Sequence, residues 1–524
     1  MNANRVKEYI EKGFWLKKTY GDLVQEWAAQ YGGRLAVRDG DDTMTYRQLA
    51  LYAERLAAAF LKKGIRKGDR VLLQMCNTVT IAPAYFGLFR IGAVVIPVYP
   101  ALRETEVSAI AKEAEAAAYL CTEQYLDFSY RALTEAVCAA AETVRTVIYE
   151  QELKEYCQDA SLVLPDGLPA PAFDDTAFLL LSGGSTGIPK LIERTHADHY
   201  YSVRKCAEIC GLDKNSVYLA AMPLTHNFFI CTGLFGTFCT GGTVVMSYVP
   251  SPDELLRLID EAHVTMTSLV PAVAKMCLEM QPIFAEYGSD SLKLLQLGGA
   301  VVEPELVSAC ESSFQCRVMQ IYGMSEGIIT CTRPDDPADA VLYSQGREIS
   351  EADEIRIVDE NLCEVPDGTA GELIARGPYT VDHYYHNIRP EKFTPDGFYR
   401  TGDRAVRRSD GNITVLGRMD AVINRGGEKI TPAEVEDALR KHPAVRDAVV
   451  LGHDDPDTGT AVCAFVLCSD PSLTEQDITA FLRGGSLAAF KQPDRILFCT
   501  EFPLTAVGKT DVKALRKMLD EVKE

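Results

Sequence analysis

The chain has 524 residues, 47% of them apolar, which is too long for one ordinary core and rich enough to fill two or more. Its formal charge is −21, from 53 basic and 74 acidic residues, which argues against a nucleic-acid backbone or an anionic membrane surface as principal partner. The sixteen cysteines include no CxxC pair and sit mostly in apolar runs, so they read as buried, reduced thiols and not as a disulfide set or a metal centre. The N-terminal MNANRVKEYIEKGFW lacks an apolar signal core and no apolar run reaches a membrane span, so a cytoplasmic protein is expected.

From Tyr20 to about Leu120 helix and strand alternate. Thr45 to Lys63 carries Leu49, Tyr52, Leu56, Ala59 and Phe60 at helical spacing, breaks at Gly64 and leads into the apolar run Val71 to Met75. Ile81 to Leu88 predicts another helix, Gly92 a break, and Ala93 to Val98 another buried strand. Repeats of this length predict a largely parallel sheet covered on both faces. Asp159 to Asp175, rich in Pro, Gly and Asp, is a surface connector that delivers the chain into Phe178-Leu-Leu-Leu181.

The strand predicted there opens into Ser182, Gly183, Gly184, Ser185, Thr186, Gly187, Ile188, Pro189 and Lys190. The glycines and hydroxyls leave backbone N–H groups free to wrap an anion, and Lys190 adds a point charge. Ile188-Pro189 before the lysine departs from Walker spacing, which excludes the kinase and GTPase geometry while keeping phosphate as the natural guest. Read alone, the stretch is also an ordinary strand-to-helix turn.

The same rhythm resumes with a helix at Asp253 to His263 and strands at Val264 to Val270, Leu292 to Leu297 and Arg317 to Tyr322, the last two ending at Gly298-Gly299 and Gly323. Ligands of open parallel sheets sit beyond the carboxyl ends of strands, so these ends are expected to share one pocket. Short strands at Glu354 to Asp359, Gly371 to Arg376 and Asn412 to Leu416 predict a small barrel or antiparallel lobe over about 340–417. A capping box at Thr431-Pro-Ala-Glu434 opens a helix that stops at Pro443. Strands Ala448 to Leu451 and Ala461 to Leu467, with helix Thr474 to Leu482, complete a small α+β unit. The expected fold class is α/β, with a large N-terminal domain over 1–417 and a small C-terminal domain over 421–524.

Ser182 to Lys190, Tyr322-Gly-Met-Ser-Glu326, Tyr399-Arg-Thr-Gly-Asp403, Gly417-Arg-Met-Asp420 with Gly426-Gly-Glu-Lys-Ile430, and Gly508-Lys509 stand in a telling order and spacing. The chain thereby resembles the adenylate-forming ligases, which include acyl- and aryl-CoA synthetases, nonribosomal peptide synthetase adenylation domains and luciferases. The resemblance runs from about Tyr20 to the C-terminus. Within that superfamily it is most similar to the free-standing aryl-acid AMP ligases of siderophore assembly, the 2,3-dihydroxybenzoate and salicylate type. Finer marks are Arg194-Thr-His196, His226-Asn-Phe228, Leu295 to Ala300, Gln320 to Gly327 and Asn424 to Lys429.

The resemblance implies ATP and Mg²⁺ as cofactors and a two-step reaction. A carboxylate attacks the α-phosphorus of ATP, pyrophosphate leaves, and a thiol then captures the acyl adenylate. The loop from Ser182 to Lys190 would hold the β- and γ-phosphates. Glu326 would be the Mg²⁺ carboxylate, with Thr186 beside it as a second oxygen ligand. Gly298, Gly299 and Ala300 lack bulk and would let adenine lie against backbone facing the Gln320, Ile321, Tyr322, Gly323, Met324 and Ser325 segment. Asp403 would take the ribose hydroxyls, assisted by Arg418. Lys509 would bridge the attacking carboxylate and the α-phosphate. Asp420 would be the hinge, within 418–420, about which a mobile C-terminal domain turns, bringing Gly426, Gly427, Glu428 and Lys429 to line a phosphopantetheine path.

For the acid, the resemblance implies His226, Asn227 and Phe228, with His226 also counted among the catalytic residues. Amino-acid-activating relatives carry aspartate at the Asn227 position, and a neutral amide there suits an ortho hydroxyl instead of an ammonium. Phe228, Ile230, Gly298, Gly323 and Ile328 or Ile329 would wall an aromatic ring. The run Phe229-Ile-Cys-Thr-Gly233 departs from the family pattern by being one residue shorter, leaving Cys231 and Thr232 both as candidates for the pocket floor. The implied partners are an aryl acid and a phosphopantetheinylated carrier protein, with CoA as the alternative acceptor. No nucleic acid or membrane is expected, and the assembly is expected to be a monomer or homodimer. A non-catalytic nucleotide-binding protein would have lost Lys509 or Glu326, and both are present.

Overall fold

A computed structural model describes residues 3–182, 190–249, 251–280, 286–419, 423–425, 428–430, 432–455, 459–484, 487, 491–505 and 508–521. Contacts divide the chain into two compact units, Met1–Ile355 with Ala375–Tyr399, and Arg356–Ile374 with Arg400–Glu524.

The first unit holds two large sheets. In the nine-stranded sheet the order is Arg347–Glu348, Ile329–Cys331, Arg317–Gly323, Leu294–Gly298, Met266–Leu269, Val217–Ala220, Thr243–Met246, Leu35–Asp39, Asp42–Thr45. Its interior pairs are parallel and its outer pairs antiparallel. The six-stranded sheet runs Leu191–Thr195, Thr176–Leu181, Val94–Pro97, Arg70–Gln74, Ala118–Cys121, Thr146–Tyr149, parallel except for its first pair. Strands such as Val94–Pro97, Ala118–Cys121 and Met266–Leu269 are buried along their whole length, as parallel strands covered on both faces require.

The amphipathic run read from Thr45 forms the helix Tyr46–Lys62, with Thr45 capping it by accepting from the Gln48 N–H. Helix Ile81–Arg90 is apolar all round and buried. It contributes Phe89 to an aromatic cluster in which Tyr20 stacks on Phe89 at 5.1 Å between ring centroids and Phe178 lies 4.6 Å from His199. This cluster belongs to the main core and fixes where Tyr20 and His199 sit.

In the second unit a three-stranded sheet, Val445–Asp455, Gly459–Cys468 and Arg495–Cys499, pairs first antiparallel and then parallel. Leu439 and Ile478, from helices Pro432–Arg440 and Glu475–Gly484, share one apolar cluster with strand residues Val450, Val462 and Ala464. Leu515 and Leu519 of helix Val512–Glu521 join Cys463 and Phe465 in another. The short strands expected over 340–417 form a four-stranded sheet in the order Glu354–Val358, Ala370–Arg376, Tyr399–Arg407, Ile413–Arg418. Among the described residues no helix is long and apolar enough to cross a membrane.

Candidate active site

The segment expected to hold phosphate, Ser182 to Lys190, joins two antiparallel strands and not a strand and a helix. Leu181 pairs with Leu191, and the base is clipped by two hydrogen bonds: Ser182 N donates to Lys190 O, and Lys190 N donates to Ser182 Oγ, both at 3.0 Å. Gly183, Gly184, Ser185, Thr186 and Gly187 lie outside the described residues. The helix His196–Ile209 begins only after the return strand, capped by Thr195, which accepts from the Asp198 N–H.

Ser325 Oγ donates to Leu181 O at 3.3 Å, so the Tyr322 to Glu326 turn is tied to the end of the strand Thr176–Leu181. Arg194, 1% exposed, secures the same turn from beneath: its Nη1 donates to Ser325 O at 3.1 Å and its Nε to Asp198 Oδ1 at 2.6 Å. Glu326 is 6% exposed, and its Oε1 accepts the Tyr384 hydroxyl at 2.8 Å. The Tyr384 and Tyr399 hydroxyls stand 3.1 Å apart, and Lys190 Nζ lies over the Tyr384 ring, 5.1 Å from its centroid. Burial and the Glu326 carboxylate both push the Tyr399 phenol far above the ordinary range, so it stays protonated as a donor. A buried carboxylate held by a phenol is a hard oxygen donor of the kind Mg²⁺ takes.

The remaining nucleotide-facing candidates sit at strand ends. Gly298 pairs with Ile321, and a Cβ there would lie 2.5 Å from both Ile321 Cγ2 and Ile321 O, so the neighbouring strand by itself demands glycine. Gly299 is half-buried and Ala300 exposed. Tyr322 is half-buried and opposite Thr330, while Gly323 is exposed and opposite Ile329. Met324 N donates to Ile328 O at 3.1 Å, closing the turn. Gln320 faces inward. Its Nε2 donates to Val341 O at 2.7 Å, its Oε1 accepts from Gln345, and its backbone N–H and C=O are both bonded to Thr332.

Around the expected acid pocket, Asn77 pins the strand exit. Its Nδ2 donates to Ala220 O and Met222 O, and its Oδ1 accepts from Leu224 N at 2.9 Å. His226 follows, half-buried and stacked on Tyr99 at 5.4 Å, with its Nδ1 accepting from the Phe228 N–H. Asn227 and Phe228 are half-buried too, and Asn227 Oδ1 lies 3.0 Å from His199 Nε2. Residues Phe229–Phe235 form a π-helix, a wider coil that accommodates the irregular Phe-Ile-Cys-Thr-Gly run. Within it Cys231 and Thr232 are each 1% exposed. Thr232 Oγ1 donates to Phe228 O, and Cys231 Sγ reaches Ser202 Oγ at 3.5 Å, so both are satisfied by the protein. Ile328 and Ile329 are buried.

The second unit carries the other candidates. Asp403, 7% exposed, pairs in register with Arg418, whose Nη1 donates to Asp403 Oδ1 and Thr401 O, each at 3.1 Å. Lys509 closes a tight turn: its N–H donates to Thr505 Oγ1 and its C=O accepts from Thr505 N at 2.6 Å. Burial lowers the Lys509 ammonium below the ordinary lysine range, and the Asp403 carboxylate opposes that shift. Asp420, Gly426 and Gly427 lie outside the described residues. Glu428 and Lys429 belong to the strand Glu428–Ile430, paired antiparallel with Ile423–Arg425.

Sequence reasoning missed Tyr384, whose segment carries no motif, and the pairing of His199 with Asn227. It quoted Tyr399 and Arg194 only as marks of resemblance, although a tyrosine and an arginine standing inside such motifs are the available signal.

Residues 24–385 match the model described as AMP-binding enzyme, and residues 434–509 that of the AMP-binding enzyme C-terminal domain. The chain is 41% identical over 519 residues to the 2,3-dihydroxybenzoate-AMP ligase of Bacillus subtilis (strain 168), covering 98% of this chain and 96% of the relative. It is 36% identical to the salicyl-AMP ligase / salicyl-S-ArCP synthetase of Mycobacterium tuberculosis, covering 99% and 94%. Among solved structures, Mycobacterium smegmatis MbtA in its apo form matches with a TM-score of 0.75 at 37% identity, over 99% of this chain and 98% of that one.

Proposed function

We propose, from the fact that this chain belongs to the AMP-binding enzyme family, that it activates an aryl carboxylic acid with ATP, releasing pyrophosphate, and passes the acyl group to the phosphopantetheine thiol of a carrier protein. The acid class is that of the relatives named for 2,3-dihydroxybenzoate and salicylate. One observation carries this reading: a neutral amide, Asn227, stands half-buried between His226 and Phe228 with its Nδ2 making no hydrogen bond among the described residues. An α-ammonium would need a carboxylate there.

In this reading the loop from Ser182 to Lys190 grips the β- and γ-phosphates. Glu326 would hold Mg²⁺, with Thr186, and Tyr384 keeps its Oε1 in place. Bound Mg²⁺ supplies neutralising charge to the departing pyrophosphate. Asp403 and Arg418 take the ribose, and the backbone at Gly299, Ala300 and Tyr322 to Ser325 takes the adenine side. Lys509 joins the carboxylate to the α-phosphate as negative charge builds there. The division into core 1–417, hinge 418–420 and lid 421–524, with Gly426 to Lys429 lining the thiol path, belongs to the same proposal. A pyrophosphate-exchange screen over aryl, amino and fatty acids tests it. Best activity with salicylate or a hydroxylated benzoate is expected, and best activity with an amino or fatty acid would overturn it.

A further inference from the structure

We infer that Tyr20 and His199, both fully buried behind Asn227, set the acid specificity by deciding which end of the Asn227 amide faces the substrate. The inference rests on the aryl-acid reading above and adds to it the chemistry required at the ortho position.

His199 stands between two partners. Its Nε2 is 3.0 Å from Asn227 Oδ1 and its Nδ1 is 2.6 Å from the Tyr20 hydroxyl. Burial and the nearby Arg194 guanidinium push the imidazole well below its ordinary range, so it carries one ring proton. Two proton arrangements are then self-consistent. In the first, Tyr20 donates to Nδ1 and Nε2–H donates to Asn227 Oδ1, so every group in the line is used. In the second, the amide is turned over, its Nδ2 donates to Nε2, and Nδ1–H donates to Tyr20. The Tyr20 hydrogen is then left without an acceptor, because His199 is its one hydrogen-bond partner among the described residues. The ring is 0% exposed and sits against Phe89, Phe178 and Phe235. A buried unsatisfied hydroxyl disfavours that arrangement by roughly 5- to 100-fold.

Asn227 therefore presents only N–H donors to the acid. A 2-hydroxybenzoate fits, since its phenolic proton turns inward to its own carboxylate and leaves oxygen lone pairs outward. A 2-aminobenzoate presents N–H against N–H. Benzoate, without an ortho group, stands between them and reports on the rest of the site.

The test is kcat/KM in ATP–pyrophosphate exchange for salicylate, anthranilate and benzoate, in the full chain and in Tyr20→Phe. The unmodified enzyme is expected to prefer salicylate over anthranilate by about 30-fold or more. Tyr20→Phe removes the proton that fixes the relay. It should narrow this preference to below about fivefold by raising anthranilate, with benzoate little changed. A parallel fall for all three acids would mean that Tyr20 only packs, and would overturn the inference. Equal use of salicylate and anthranilate by the unmodified enzyme would overturn it too, without needing the variant to fold, and would leave the aryl-acid reading standing. Failure of every aryl acid would remove both.

Discussion

Glu326 accepts the Tyr384 hydroxyl at 2.8 Å, while the ring of that tyrosine lies under the Lys190 ammonium. One side chain thus touches the carboxylate proposed for Mg²⁺ and the lysine that ends the loop proposed for phosphate. Tyr384→Phe keeps the ring and deletes the hydroxyl. A hydrogen bond to a charged acceptor contributes about 1.5–3 kcal/mol, so the variant should need roughly tenfold more Mg²⁺ or ATP for half-maximal exchange. Titrations of each at saturating acid measure this, and unchanged curves would remove Tyr384 from the site.

Lys509→Ala should lower acid-dependent pyrophosphate exchange by about 10²- to 10³-fold, the usual consequence of removing a group that stabilises developing charge. Transfer from a supplied acyl adenylate to a thiol should be largely retained. Because burial lowers the Lys509 ammonium, exchange should also fall off on the alkaline side before the ordinary lysine range is reached. Lys509→Arg, which cannot deprotonate, should move that limb upward. Equal loss of both half-reactions in the alanine variant would refute the assignment.

Arg194 and Asp198 are a buried ion pair, 1% and 5% exposed. Removing one partner strands the other charge, so Arg194→Met should destabilise the fold by about 3–5 kcal/mol. It should also free the Ser325 carbonyl and with it the Glu326 turn. Urea denaturation monitored by tryptophan fluorescence gives the first effect. A shift under about 1 kcal/mol would show that the pair is dispensable.

Burial holds the His196 imidazole down to about 4, from an ordinary value of 6.5. Between those values the unfolded chain binds a proton that the folded chain does not. Stability should therefore fall as pH falls from 6.5 towards 4, by about 1.4 kcal/mol per unit from this group, and level off below. His199, also lowered by burial, acts in the same direction. Denaturation midpoints at several pH values read the slope, and His196→Asn should flatten it.

Gly233 lies in the π-helix, where a Cβ would stand 2.2 Å from the Tyr218 ring. Gly233→Ala should destabilise by about 1–3 kcal/mol through overpacking. Displacement of the coil that follows Asn227 should also weaken acid binding. Calorimetric titration of the acid alongside thermal melting separates the two effects.

The strands were legible because parallel, doubly covered strands leave plain apolar runs, and glycines after them mark where each run stops. Thr45 to Lys63 read correctly as a helix for the same kind of local reason, since its apolar stripe, cap and terminal break all lie within one segment. The Ser182 to Lys190 stretch was legible in composition, while the plain strand-to-helix turn weighed beside the anion loop does not describe it, because a short return strand, Leu191–Thr195, intervenes before the helix. The relay from Tyr20 through His199 to Asn227 was beyond local reading, because sequence separations of 179 and 28 residues are closed only by tertiary packing. The π-helix was hidden for another reason, since Phe229–Phe235 mixes aromatic, aliphatic, Cys, Thr and Gly residues and shows no period that would mark a wider coil.

Tyr20 begins the helix Tyr20–Tyr31, held in place by Thr19, whose side chain caps that helix and whose N–H is bound by Asp22. The stretch recognised as AMP-binding starts at residue 24. Two natural variants identical from there onward would be filed together by any motif search, yet one that had lost its tyrosine at position 20 would draw on a wider range of ortho-substituted acids. Substrate range in this chain would then depend partly on a residue that lies before the stretch recognised as AMP-binding.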